Sequence, residues 1–308
     1  MNIQISQTSS QGYAPDARND QVLVYVNGEF FPRDEAKISI FDAGFVLGDG
    51  VWEGIRLSKG RLVAVDEHIN RLYEGANAIQ LDIGLSKDQM KGALRATLAR
   101  NQMTDGVHIR LMVTRGPKKT PNQDPRFALG QPSIIIVAEY KTPVASSKEK
   151  GITLFTSTIR CSSADVFDLR LNSHSRLNFI QALIQAINAG ADEALMLDPH
   201  GFVASCNSTN VFIIRDGELW TSTGRFNFKG ITRGKVLKLF NQSGGITREI
   251  DYTLAEAYSA SEAFVTGTLG GITPVVSIDG RKIGDGLPGP ITKTIDRLYA
   301  HYIDAGHD

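Results

Sequence analysis

Val22-Leu23-Val24-Tyr25-Val26-Asn27-Gly28-Glu29-Phe30-Phe31 is the first stretch in which the chain commits to a structure. Two apolar runs flank Asn27-Gly28, a pair that tolerates the positive φ required at both central positions of a tight hairpin turn. A β-hairpin is expected here. A second is expected where Asn210 to Ile214 and Glu218 to Trp220 flank Asp216-Gly217. Between the two hairpins the period changes. Ile69, Leu72, Ala76 and Ile79 recur at helical spacing within His68 to Ile79. Leu177, Ile180, Leu183, Ile184 and Ile187 line one face of another helix, and Gly190 follows as its C-cap. Ser133 to Val137 (SIIIV) reads as a buried strand. Strands and helices mix in both halves without an internal repeat, which predicts the α+β class.

With 308 residues the chain is long enough for two lobes and a large core. The polar run Lys141 to Gly151 (KTPVASSKEKG) is expected to be the linker, 141–151, between a small N-terminal lobe, 21–140, and a larger C-terminal lobe, 152–308. A cleft between lobes is a usual place for a small-ligand site. Residues 1–20 are polar, carry no hydrophobic signal core and read as a flexible arm.

Composition narrows the function. Lys plus Arg equals Asp plus Glu at 33 each, so no global field favours nucleic acid or an anionic membrane. No apolar run reaches the roughly 18 residues of a membrane span. Cys161 and Cys206 are too few for a disulfide framework and suit the reducing cytoplasm. The six histidines have no paired spacing, so no metal site is expected.

The run Phe41-Asp-Ala-Gly-Phe-Val-Leu-Gly-Asp-Gly-Val-Trp-Glu-Gly-Ile-Arg56 resembles the N-terminal signature of the class IV, pyridoxal-phosphate-binding aminotransferases. The resemblance continues through His68-Ile-Asn-Arg-Leu72, Arg110-Leu-Met-Val-Thr-Arg-Gly116 and Gly190-Ala-Asp-Glu-Ala-Leu-Met-Leu-Asp198. It runs on through Gly230-Ile-Thr-Arg233, Thr266-Gly-Thr268 and Gly286-Leu-Pro-Gly-Pro290. It implies a two-lobed fold like that of D-amino acid and branched-chain aminotransferases, with the active site between the lobes, and a homodimer. It also implies that Arg71, Ile231, Thr232 and Thr268 contact a cofactor phosphate. The chemistry agrees, since a dianion needs a fixed guanidinium and converging N–H donors. Singly, each residue has a plainer reading: Arg71 as a partner of a carboxylate, Thr232 as a helix N-cap.

At its chemical centre the chain departs from the family pattern. Where a Schiff-base lysine opens Lys-Ser-x-Asn-x-Leu-x, the chain reads Asn172-Ser-His-Ser-Arg-Leu-Asn178, and no lysine occurs between Lys150 and Lys229. Arg176 stays protonated and cannot stand in as an amine nucleophile. Where a glutamate pairs with the pyridine nitrogen, the chain has Ser205, followed by Cys206 in a usual glycine position. A serine hydroxyl only hydrogen-bonds a neutral nitrogen, which weakens the ring as an electron sink. Two concerted changes read as a natural departure rather than a single trapped lysine. Any pyridoxal or pyridoxamine phosphate (PLP or PMP) is then expected to bind non-covalently.

Acid–base work would fall to His174, then Cys206 or Tyr25. His174 also reads as a structural residue before a helix, and Cys206 as a small buried hydrophobe. A small carboxylate substrate would meet Arg110, Arg115, Trp52 and the amides of Leu269 and Gly270. Here the plainer readings are Trp52 in a core and Arg115 ending a strand. Two alternatives remain at this point: a phosphate cup used for another anionic substrate, and a non-catalytic ligand-binding relative.

Overall fold

The computed structural model describes residues 9–306. Asn27 and Gly28 hold φ of 51° and 100° and join Leu23–Val26 to Glu29–Pro32 as an antiparallel pair. Asp216 and Gly217, at 51° and 76°, do the same between Asn210–Arg215 and Glu218–Thr221. Both turns use the positive-φ tolerance that Asn, Asp and Gly provide.

The chain forms two compact units. The first holds residues 15–142 together with 171–176. Its six-stranded sheet runs in the order Glu29–Pro32, Leu23–Val26, Ser133–Tyr140, Val107–Thr114, Gly50–Ser58, Arg61–Leu62. The helices Val65–Ala78 and Lys87–Arg100 pack on it, the second opened by a Ser86–Gln89 capping box. Ile55, Ile69, Leu72, Leu94, Ile109, Leu111 and Ile136 share its core. Within the Phe41–Arg56 run, Asp42 is wholly buried. Its carboxylate caps the short helix Ala43–Leu47 through the Gly44 amide and accepts from Thr114 and Ser133. That part of the signature is structural.

The second unit holds residues 9–14, 143–170 and 177–305. Its nine-stranded mixed sheet follows the order Val203–Cys206, Glu193–Leu197, Ile152–Thr156, Gly271–Ile278, Glu262–Gly267, Asn210–Arg215, Glu218–Thr221, Thr247–Glu249, with Arg281–Lys282 paired to Gly271–Ile278. The helices Leu177–Asn188, Ile231–Gln242 and Pro290–Ala305 pack against it.

Several local expectations need amendment. The polar run 141–151 contains a short helix, Ala145–Glu149. Residues 171–176 group with the first unit, although they follow residue 152 in sequence. Of the expected arm, residues 1–8 lie outside the described residues, while Ser10 is buried at 3% exposure. Its amide and hydroxyl both donate to Glu193, 183 positions away. The helix Leu177–Asn188 buries Phe179, Ala182 and Ala186 and turns its other apolar stripe, Leu177, Ile180, Ile184 and Ile187, outward.

Candidate functional site

In the first unit the site begins with a lone acid in an apolar strand. Gly50–Ser58 is buried along most of its length, and Glu53 is wholly so. A carboxylate survives there only if its oxygens are satisfied by charged donors. Arg71 supplies two, Nε to Oε1 at 2.7 Å and Nη2 to Oε2 at 2.6 Å, and His68 Nδ1 lies 2.7 Å from Oε2. Burial pushes the Glu53 carboxyl up, but Arg71 and then His68 outweigh it and hold it below the ordinary carboxylate value. One turn of the helix Val65–Ala78 brings both partners to the strand, because positions 68 and 71 share a face. Arg71 therefore has the buried carboxylate partner of its plainer reading.

Next to Glu53, Trp52 anchors the segment 172–176. The Trp52 amide donates to the Asn172 carbonyl at 2.9 Å, and Asn172 Nδ2 donates back to the Trp52 carbonyl at 2.6 Å. The indole Nε1 donates to the Ser173 carbonyl at 3.0 Å. Arg176 closes the arrangement, with Nε on the Ser173 carbonyl at 2.9 Å and Nη2 on Asn172 Oδ1. Asn172 is 5% exposed. The Arg110 guanidinium lies over the Trp52 ring at 3.7 Å and that of Arg176 at 5.5 Å. Trp52 is thus half-buried and stacked, rather than a plain core residue.

His174 belongs to the same group. Its amide donates to the Gly50 carbonyl at 3.1 Å. Its Nε2 is buried with no hydrogen-bond partner among the described residues. Burial, then Arg110, lowers its pKa to about 4, so the imidazole is neutral at physiological pH.

Two other first-unit candidates sit elsewhere. Arg115 grips Asp49 through Nε at 2.6 Å and Nη2 at 3.0 Å. It also donates to the Ile79 and Gln80 carbonyls, so it ties off the end of the helix Val65–Ala78. These contacts give Arg115 a structural role at the end of that helix. Tyr25 lies three strands from Gly50–Ser58 in the sheet order, about 14 Å at the usual strand spacing. It packs edge-on to Phe30, and burial pushes its phenol up.

In the second unit, Ser205 is buried and donates its hydroxyl to the Thr209 carbonyl at 2.9 Å. Cys206 is a core side chain. Burial, then Glu193, pushes its thiol well above the ordinary value, which leaves it protonated and unsuited to nucleophilic attack. Glu193, with Ser10 and Thr209 as donors, is likewise pushed up by burial.

The helix Ile231–Gln242 opens at Gly230 without a side-chain cap. Its first amides, at Ile231 and Thr232, carry the positive end of the helix dipole. Asn210 shapes this turn by donating to the Phe228 carbonyl at 2.7 Å and accepting from the Gly230 amide at 3.2 Å. A Cβ on Gly230 would lie 2.3 Å from Asn210 Oδ1, so only glycine fits. Thr232 is not the N-cap; its hydroxyl lies 3.3 Å from that of Tyr299. Thr268, Leu269 and Gly270 form the tight turn between Glu262–Gly267 and Gly271–Ile278, closed by the Gly267–Gly271 pair. A Cβ on Gly270 would meet the Ser10 carbonyl at 2.5 Å.

The uncapped helix start at Gly230 suits an anion such as a phosphate. Asn172 carries an amide and Ser205 a hydroxyl, so neither side chain supplies an amine or a carboxylate. Glu53, Arg176 and Asn210 are the site-shaping residues that pattern reading passes over. A single acid inside Val51-Trp-Glu-Gly-Ile55 is the signal that points to Glu53. Among the described residues no helix is long and apolar enough to cross a membrane, and no cluster of acidic, His or Cys side chains could hold a metal.

The family model for amino-transferase class IV matches residues 50–278. The branched-chain-amino-acid aminotransferase-like protein 1 of Arabidopsis thaliana is 39% identical over 285 residues, covering 92% of this chain and 51% of the plant protein. The chain thus spans about half the length of that relative. A putative branched-chain-amino-acid aminotransferase of Methanocaldococcus jannaschii is 41% identical over 277 residues, 90% of this chain and 94% of the other. The T.th. branched-chain amino acid aminotransferase solved with pyridoxamine 5'-phosphate superposes with a TM-score of 0.87 at 29% identity, over 92% of this chain and 95% of that one.

Proposed function

The chain belongs to the class IV aminotransferase family, and we propose that it is a lysine-free member. It binds PLP or PMP without a covalent bond, together with a small amino or keto acid. The observation that carries this reading is the amide of Asn172, locked between the Trp52 carbonyl and Arg176 where the family pattern has its lysine. The retained Gly230 turn supports phosphate binding through the Ile231 and Thr232 amides and hydroxyls at Thr232 and Thr268, with Arg71 held ready by Glu53. A relative solved with pyridoxamine 5'-phosphate supports the choice of cofactor.

When bound, the cofactor supplies a ring that accepts electron density from a substrate carbon. In this chain Ser205 would bring no carboxylate to that ring, and its hydroxyl already donates to the Thr209 carbonyl, so the ring would be a weak sink. His174 brings a neutral imidazole whose Nε2 takes a proton and returns it, the work an amine would otherwise do. Trp52 offers an aromatic face, while Arg110 and the turn at Leu269 and Gly270 hold carboxylate. The outward stripe of Leu177, Ile180, Ile184 and Ile187 supports a homodimer that covers it, and two free, buried cysteines suit a cytoplasmic protein.

The paired changes at Asn172 and Ser205 also favour a second reading, in which the same anion-binding groups serve a different anionic substrate without vitamin B6. Titration calorimetry of the dialysed full chain with PLP and with PMP separates the two. Saturable one-site binding of either, weakened by inorganic phosphate, is the expected result. Absence of binding by both would discard the cofactor reading and leave the second.

A further inference from the structure

Ser9 to Gly12 form a turn in the second unit, with the Gly12 amide on the Ser9 carbonyl at 3.2 Å. The Ser147 hydroxyl, on the helix Ala145–Glu149, holds this turn from one side. It accepts from the Ser9 amide and donates to the Ser9 carbonyl, each at 3.1 Å. On the other side Ser10 reaches the buried Glu193, with its amide on Oε1 at 2.9 Å and its hydroxyl on the same oxygen. Glu193 Oε2 accepts from the Thr209 hydroxyl at 3.0 Å, and Thr209 precedes Asn210, whose side chain shapes the Gly230 turn. The same N-terminal turn lies against the one formed by Thr268, Leu269 and Gly270. A Cβ on Gly270 would lie 2.5 Å from the Ser10 carbonyl oxygen, and one on Gly267 would lie 3.5 Å from Gln11 Nε2. One buried carboxyl therefore links a segment near the chain's start to both turns whose amides suit an anion.

We propose that Ser10 is a positioning residue for ligand binding: latched to Glu193, it holds the N-terminal segment against Gly270 and fixes the turn 268–270 in its anion-receiving form. The run Gly267-Thr-Leu-Gly-Gly271 has three glycines in five residues, so its backbone is conformationally permissive. Its amides converge on an anion at low entropic cost only when contacts from outside the turn hold them in place. The Ser10 carbonyl supplies such a contact on the face where Gly270 has no side chain. Ser10 itself touches no ligand and acts through the turn. This inference rests on the proposed function only in that the turn receives an anion; it requires neither amino transfer nor a particular cofactor.

Ser10→Ala keeps the amide contact to Glu193 and loses the hydroxyl. Calorimetry of the full chain should show PMP binding weakened about three- to ten-fold, the usual worth of one hydrogen bond. Hydrogen exchange read by mass spectrometry should quicken in peptides covering 267–271 and stay unchanged in the helix Ile231–Gln242. Ser10→Thr, which restores the hydroxyl, should recover most of the affinity. Gly270→Ala, which drives the Ser10 carbonyl away, should reproduce both effects, and adding Ser10→Ala to it should weaken binding little further. Native PMP affinity in Ser10→Ala overturns the inference, even where the turn exchanges faster. Faster exchange throughout the second unit also overturns it, because Ser10 would then be structural only. A native chain that binds no PMP rejects the cofactor reading alone, and the Ser10→Ala comparison is then made with inorganic phosphate. Binding of neither anion by the native chain rejects both.

Discussion

Asn172 Nδ2 and the Trp52 carbonyl oxygen lie 2.6 Å apart, and the Trp52 amide returns the contact to the Asn172 carbonyl at 2.9 Å. The Asn172 side chain is therefore part of the scaffold that seats Trp52 and Arg176. Replacing it changes that scaffold as well as the chemistry.

Asn172→Lys should not restore efficient amino transfer by itself. The new ammonium would lose the amide bracket and sit beside Arg176, and Ser205 would still leave the ring nitrogen without a carboxylate. Single-turnover absorbance changes with PLP and an amino acid check this. Rapid half-transamination by the single variant would contradict it.

Glu53→Gln should destabilise the chain by about 3–5 kcal/mol at neutral pH, the usual result of removing one member of a buried charged group. The pH dependence has a defined sign. In the folded chain the Glu53 carboxyl lies below its ordinary value of 4.5, so the unfolded chain takes up the proton first as pH falls. The stabilisation is complete above 4.5 and is lost as pH falls through the folded-state value. Urea denaturation of both proteins from neutral pH to below pH 4 should show the gap between them closing in acid. A gap that is constant or widens in acid would refute the assignment.

Arg115→Gln should lower stability by about 2–3 kcal/mol, since it removes charge-assisted hydrogen bonds to Asp49 and to the end of the helix Val65–Ala78. Carboxylate affinity should stay within two-fold of the native chain. A large loss of affinity at unchanged stability would return Arg115 to the substrate side.

Much of this was legible in the linear chain, where local chemistry decided it. Asn27-Gly28 and Asp216-Gly217 form hairpins because few residue pairs accept those φ values, and the run Ser133 to Val137 lies within the strand Ser133–Tyr140. The α+β assignment and the family follow from such segments together with ordered motifs. What stayed hidden depends on distance. Ser10 meets Glu193 across 183 positions, and Arg115 meets Asp49 across 66. No periodicity encodes either contact. Residues 171–176 join the first unit through pairings of Trp52 with Asn172 and Val51 with Ser173, which a reading by consecutive segments assigns to the other lobe. Cys206 carried two readings in the sequence, thiolate and small buried hydrophobe, and its packing within the sheet core is that of the second.

The central claim is that cofactor binding here involves no lysine. The direct test is borohydride reduction of the full chain saturated with PLP, followed by intact-mass and peptide analysis. The account predicts an unmodified chain, from which PLP is recovered by gel filtration. A pyridoxyl adduct on one lysine in stoichiometric yield would contradict it.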